Sequence, residues 1–309
     1  MNVPITQSEA WQKLQNDLKV ESFIEKNNDF QYLALLNHTP TGNYLYLPYG
    51  PIADSANSFN DALDSLITLA EKHGCIFIRI EPMNQSLEKH LPKSAVKTKD
   101  LNPKETWLLD LNGTDEELND KLPSRLLRYY KNHEKNGITI EQSKNEEDIK
   151  ILLNLQKALA NQKHINTFSE EYLKTELKQP FATLYIVRFD NSETNQQEIV
   201  AAGLVFDHEG TRYNLQGAQS EQGRKLHATG ILTIQLILDA KAKGLKTFDF
   251  WGIAPENAPK DHPWQGFTAF KKTFKGYEKD YVGTYDIVLK PTKYRLYKSL
   301  RKINRLRKH

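Results

Sequence analysis

The stretch FDFWGIAPENAPKDHPWQGFTAFKKTFKG, residues 248–276, decides the fold. It opens as a strand (KTFDFW, 246–251), turns at a Gly, crosses a Pro-rich loop, and closes on a short apolar-basic segment ending at Gly276. Phe267, Phe270 and Phe274 recur at i, i+3 and i+7, which predicts an amphipathic helix over 264–274. Lys271 and Lys272 then have two readings. They form the wet side of that helix, or one of them meets a charge that develops during a reaction. Asp249, Trp251 and Gly252 end the strand, and α/β sheets place ligands at the carboxyl ends of strands. An ammonium shielded by Phe at that place would stabilise an oxyanion.

Outward from this stretch, strand-like and helix-like runs alternate. Strands are expected at 31–36, 44–47, 76–81, 106–111, 138–142, 183–189, 198–206, 211–217 and 246–251. Helices are expected at 58–72, 146–160, 169–178 and 228–243, and another runs from Thr114 to about Asn136 with a break or restart at Pro123. Thr114 and Glu117 fit a capping box, and His73-Gly74 a helix stop. One order of helices and strands is used twice. The fold class expected is α/β (α+β), as two tandem domains with mixed sheets flanked by helices.

The 309 residues suit two domains, and 39% hydrophobic with 26% charged content predicts a folded chain. Cys75 is the single cysteine, so no internal disulfide forms, and it precedes an apolar strand where buried, inert thiols are common. The N-terminal residues show no basic head with an apolar stretch, and 230–240 is too short and polar to span a bilayer, so a cytoplasmic location is expected. The nine His include no HExxH, which argues against a metal site, and no G-x-S-x-G elbow is present. Residues 290–309 carry nine Lys and Arg and no acid; taking nine from the net +3 leaves the other 289 residues at −6. A mildly acidic body with a basic end points to one localised anionic contact.

The alternation is compatible with the GNAT acyltransferase fold. GNAT enzymes hold the acetyl-CoA pyrophosphate on backbone N–H groups at a helix start, where small residues let the backbone approach. The equivalent stretch, EQGRKLHATG (221–230), has His227 and Thr229 at the small positions, so a donor other than acetyl-CoA is expected.

Several motifs in order resemble the FemABX peptidoglycan bridge-forming aminoacyltransferases. The specific set is DFWGI (249–253), His262-Pro263, Gly266, FKKTFKG (270–276) and VGTYDIVL (282–289) before a basic C-terminal helix. YLPYGP (46–51), TWLLDL (106–111), Arg128 to Ile138 and YNLQGA (213–218) add to it. The resemblance implies two GNAT-like domains, 1–143 with 283–309 on the acceptor side and 144–282. It implies transfer of an amino acid from aminoacyl-tRNA, as co-substrate without a bound cofactor, to the stem-peptide amine of UDP-MurNAc-pentapeptide or a lipid II type precursor. No heptad arm is present, so the chain resembles a compact member.

In that resemblance Lys271 holds the oxyanion and Phe270 shields it. Asp110 falls where an acidic residue lies near the acceptor amine, as base or orienter, against a turn-capping role beside Asn112. Arg128 is a candidate for precursor phosphates, Tyr213 and Trp251 for walls of the site, and Lys272 and His262 for further substrate contacts. Each has a structural alternative: core for the aromatics, a turn for His262, a solvated helix face for Arg128 and Lys272. In the C-terminal helix Leu296, Leu300, Ile303 and Leu306 form one stripe amid basic residues. The stripe would dock on the first domain, or the basic end would contact tRNA or a membrane surface. The alternative functions are acyl or aminoacyl transfer to another amine, such as a protein N-terminus or a lipid headgroup, and non-catalytic RNA binding.

Overall fold

A computed structural model describes residues 3–163 and 168–306, with backbone alone for 159–163 and 304–306. Fourteen strands lie among the described residues. They are β1 (Ser22–Lys26), β2 (Phe30–Asn37), β3 (Asn43–Leu47), β4 (Ile52–Ala53), β5 (Cys75–Ile80), β6 (Ala95–Lys97), β7 (Glu105–Asp110) and β8 (Ile138–Ser143). Then come β9 (Ala182–Asn191), β10 (Gln196–His208), β11 (Thr211–Gln219), β12 (Thr247–Gly252), β13 (Tyr277–Asp280) and β14 (Tyr285–Val288). The α-helices are α1 (Glu9–Asp17), α2 (Ala56–Lys72), α3 (Asp115–Lys121), α4 (Ser124–Lys131), α5 (Ile149–Lys163) and α6 (Glu170–Leu177). They continue as α7 (Glu221–Lys225), α8 (Ala228–Ala242), α9 (Gln265–Lys271) and α10 (Pro291–Leu306).

Two compact units result, 1–104 with 280–309, and 105–279. The resemblance implies a first boundary at 143/144. The structure places it 39 residues earlier, because β7 pairs with β12 and β8 pairs with β9, so both strands belong to the second sheet. The return point differs less, at 280 rather than 283.

The first unit carries a sheet in the order β1-β2-β3-β5-β14-β6, with β4 beside β2. It is mixed, since β3 and β5 run parallel while β14 runs antiparallel to β5 and β6. Phe59, Ala62, Leu63, Leu66 and Ala70 bury the apolar face of α2 against Leu45, Leu47, Ile78 and Ile80. That 3.6-residue spacing is why this segment is a helix, and Gly74 (φ +66°) stops it. β5 is buried along its whole length, which suits a central strand of a covered sheet. Cys75 is buried there, and burial pushes its thiol up to about 11, as an inert core thiol. The stripe expected to dock α10 is not the face that docks. Tyr294 and Tyr297 are buried against Phe77 and Tyr44, while Leu296, Leu300 and Ile303 stay exposed; Leu306 lies outside the described side chains.

The second unit carries the order β13-β7-β12-β11-β10-β9-β8. β11 and β12 run parallel; the β7–β12, β10–β11, β9–β10 and β8–β9 pairs are antiparallel. α8 is apolar nearly all round and is buried in the core with Phe248, Phe250, Val200 and Leu109. α3 begins with the capping box: Glu117 N–H donates to Thr114 Oγ1 at 3.2 Å and Thr114 N–H to Glu117 Oε2 at 2.8 Å. The break expected at Pro123 separates α3 from α4, because proline lacks the N–H that continuation would use, and α4 ends at Lys131, short of Asn136.

Candidate functional site

The parallel ladder between β11 and β12 lasts three residues, Thr211–Tyr213 against Thr247–Asp249. Beyond it β11 continues to Gln219 and β12 to Gly252 without pairing each other. On its other side β12 bulges against β7, since Asp249 faces Leu108 and Gly252 faces Thr106. Within the bulge Trp251 adopts φ +67°, a left-handed backbone rare for a bulky residue. Such strain persists where surroundings impose it, and it collects at functional sites. Here Trp251 N–H donates to Asp249 Oδ1 at 2.7 Å, which holds the turn.

α9 is aimed at this strand end by Thr268. Its hydroxyl donates to Trp264 O at 2.9 Å and accepts from Ala254 N–H at 2.8 Å, tying the helix to the loop that leaves β12. Lys271 follows one turn later on the same face. Its Nζ donates to Gly252 O at 2.6 Å. An ammonium has three donors, so two stay available.

Asp249 is the counter-charge. It is 4% exposed and its Oδ1 also accepts from Thr106 Oγ1 at 2.5 Å. Burial raises its carboxyl to about 6, against the hydrogen bonds from Thr106 and Trp251 and the attraction of Lys271. Burial likewise lowers Lys271 to about 8, against the pull of Asp249. Desolvation therefore outweighs attraction at both groups, and between about pH 6 and 8 both carry their charge.

The remaining sequence candidates divide. Tyr213 and Trp251 are edge to face at 6.4 Å beside the site. Phe270 packs on the core with Phe274 at 5.5 Å. Lys272 is exposed, pairs with Glu278 at 3.2 Å and lies 5.4 Å over the Trp107 ring. His262 accepts from Trp264 N–H at 3.2 Å through Nδ1, the geometry of a turn residue.

Asp110 is not brought to Lys271. The register sets it opposite Thr247 at the entry of β12, while Lys271 meets Gly252 at the exit; five strand residues separate these, about 16 Å. Its Oδ1 accepts from Asn112 N–H at 3.0 Å and Asn112 Nδ2 at 2.6 Å, an Asx turn that holds the carboxyl below its usual range. The acidic residue beside Lys271 is Asp249. No sequence signal separates it from Asp110, because each carboxylate lies between two core residues, Phe248 and Phe250 for one and Leu109 and Leu111 for the other.

Arg128 lies exposed on α4, 5.9 Å over the Tyr129 ring, which stacks on His227 at 4.6 Å. His227 (φ +57°) starts α8, and Thr229 N–H there donates to Gln219 Oε1 at 3.3 Å. Leu126 crowds Gly230, whose added Cβ would fall 2.6 Å from its Cδ2. The helix start that GNAT enzymes use for pyrophosphate is thus lined by this chain's own side chains. Among the described residues no group of three His, Cys, Asp or Glu is placed to hold a metal.

Two mixed sheets flanked by helices, one with a parting strand pair, define a protein of tandem GNAT-like α/β architecture. The model of the FemAB family matches residues 175–302, which include β11, β12 and α9. The fold is similar to that of FemX, with a TM-score of 0.80, 17% identity, and coverage of 96% of this chain and 94% of that one. It is similar to L-PGS from Bacillus licheniformis at TM-score 0.59, 16% identity and 94% coverage of both. A tandem GNAT protein from the clavulanic acid biosynthesis pathway gives 0.51, 12% identity, and 86% and 82% coverage. No curated protein matches the chain. A FemAB family match over 175–302 thus lies within a chain whose fold is similar to that of FemX.

Proposed function

We propose that the chain transfers an amino acid from aminoacyl-tRNA to the stem-peptide amine of a peptidoglycan precursor, with Lys271 stabilising the oxyanion. The observation that carries this reading is the Lys271 ammonium at the exit of β12, inside the stretch matched by the FemAB model. An amine attacks the ester carbonyl of the donor, and the carbonyl oxygen becomes negative. The two unused N–H groups of Lys271 receive that charge in a partly desolvated place, where such a contact is strongest. Gly252 O holds the ammonium in position beforehand, and the Asp249 charge favours its protonated form. Collapse of the intermediate returns the carbonyl and breaks its bond to the tRNA oxygen, which takes up the proton that the attacking amine gives up and leaves as a hydroxyl. The first unit would hold the acceptor. A donor without CoA agrees with the side chains that line the start of α8.

The test is to incubate the protein with a pool of charged tRNA and UDP-MurNAc-pentapeptide, lipid II or phosphatidylglycerol, and weigh the products. A precursor heavier by one amino-acid residue is expected. Mass added to the lipid alone would assign the lipid-headgroup alternative, and tRNA binding without any product would assign RNA binding.

The electrostatics add a pH signature. With Lys271 at about 8, the ammonium is lost as pH rises through 8, and transfer should fall along that limb. Asp249→Asn keeps the acceptor for Thr106 and Trp251 but removes the negative charge. That charge raises the Lys271 value, so its loss should move the alkaline limb to lower pH. A limb unmoved in the pH profile of kcat would mean that a different group titrates.

A further inference from the structure

α10 has two apolar faces, and only one is used. Tyr294 and Tyr297 dock it, with ring centroids 5.3 and 5.0 Å from Phe77. Tyr294 O–H donates to Asp286 Oδ2 at 2.8 Å, and Arg301 donates to Tyr297 OH at 2.8 Å. Leu296, Leu300 and Ile303 are 53%, 37% and 45% exposed. At 100° per residue these three fall within about 60° of one another, about 120° from the tyrosines. Lys293 flanks the stripe on one side; Ser299, then Arg295 and Lys302, flank it on the other, and all four are exposed. Residues 290–309 contain no acid, although the rest of the chain is net acidic.

We infer that this outer face of α10 docks on an anionic lipid surface. Three large aliphatic side chains in solvent, on consecutive turns, need an apolar partner. Their cationic borders select one that is negatively charged at its boundary. A bilayer interface carrying anionic headgroups meets both demands with the helix lying in its plane. Among the described residues no helix is long and apolar enough to cross a membrane, so this contact is with one face of it. The inference stands apart from the transfer reaction, because its readout needs no turnover.

The test is co-sedimentation of the full chain with vesicles of phosphatidylcholine alone or mixed with phosphatidylglycerol. Binding to the mixed vesicles only is expected, weakening as salt rises. The variant L296S/L300S/I303S should bind at least about tenfold more weakly with a thermal melt little changed, since the replaced side chains lie outside the buried core. L300E is the second variant, with one charge in the middle of the stripe, and should lose binding likewise. K293Q/K302Q should lose about fivefold per charge. Equal binding to neutral vesicles, or undiminished binding by both stripe variants, overturns the inference. So does a wild-type dimer in sedimentation velocity that the stripe variants convert to monomer. Vesicle binding that tRNA displaces in wild type and stripe variants alike would assign the basic end to RNA and overturn it too.

Discussion

Replacing Lys271 with Met is expected to lower single-turnover transfer by about 10²- to 10³-fold, the range for loss of one oxyanion donor. The substrate dissociation constants should change little, because the ammonium meets its full partner only when the carbonyl oxygen is charged. Folding should survive. Lys271 titrates at about 8 in the native chain, below its ordinary 10.5. Between those values the unfolded chain binds more protons than the folded one, so stability rises with pH across that window. Below pH 8 the desolvation penalty is present in full. At neutral pH the charge therefore opposes folding, and Met removes that opposition. Against this stand one charge-assisted hydrogen bond to Gly252, about 1.5–3 kcal/mol, and the charge partner of Asp249, which would take up a proton instead. The melting temperature should be unchanged or higher. Near-normal transfer with the fold intact would sink the role; a collapsed melt would show that the lysine is there for the fold.

That combination, activity lost and stability kept, distinguishes a group placed for chemistry from one placed for packing. Its neighbour supplies the contrast. Lys272 has Glu278 and the Trp107 ring as partners at an exposed place, so two adjacent lysines differ by the single helical step that turns one toward Gly252.

Much of this was legible because it is local. The strand into Trp251, the turn at Gly252, the Phe spacing and Pro123 each act within a few residues, and the elements form where those signals stand. Pairing is not local. β7 joins β12 about 140 residues away, and nothing in TWLLDL states which sheet will take it, so the boundary expected at 143 stands at 104. Asp110 and Asp249 both sit in apolar strands and look alike in sequence. Burial separates them: one closes an Asx turn in water, the other is buried and accepts from Thr106 and Trp251. In α10 the Leu stripe has the higher hydropathy, yet the tyrosines dock, because their rings pack on Phe77, Tyr294 edge to face, and one hydroxyl reaches buried Asp286. A preference for Leu over Tyr ignores that polar handle.

Asp286 also sets the second large effect. Arg79 Nε and Nη2 donate to its two carboxylate oxygens at 2.7 and 2.9 Å, with side-chain exposures of 2% and 0%. The pair joins register partners on β5 and β14, 207 positions apart in the chain, so it ties the C-terminal segment to the first sheet. The guanidinium also lies 5.2 Å over Phe77 and 5.5 Å over Tyr44. Asp286→Ala leaves a buried guanidinium with no counter-charge and Tyr294 with no acceptor. The expected loss is about 3–5 kcal/mol, read as faster hydrogen exchange along β5 and β14. R79M/D286L should recover most of that loss, since desolvation of both charges disappears with them. Asp286→Asn should fall between, keeping an acceptor but not the charge. If the double variant is as unstable as the two single losses added together, the pair is a net source of stability rather than a device for register. If Asp286→Ala loses less than about 1 kcal/mol, the C-terminal segment is held by α10 packing alone.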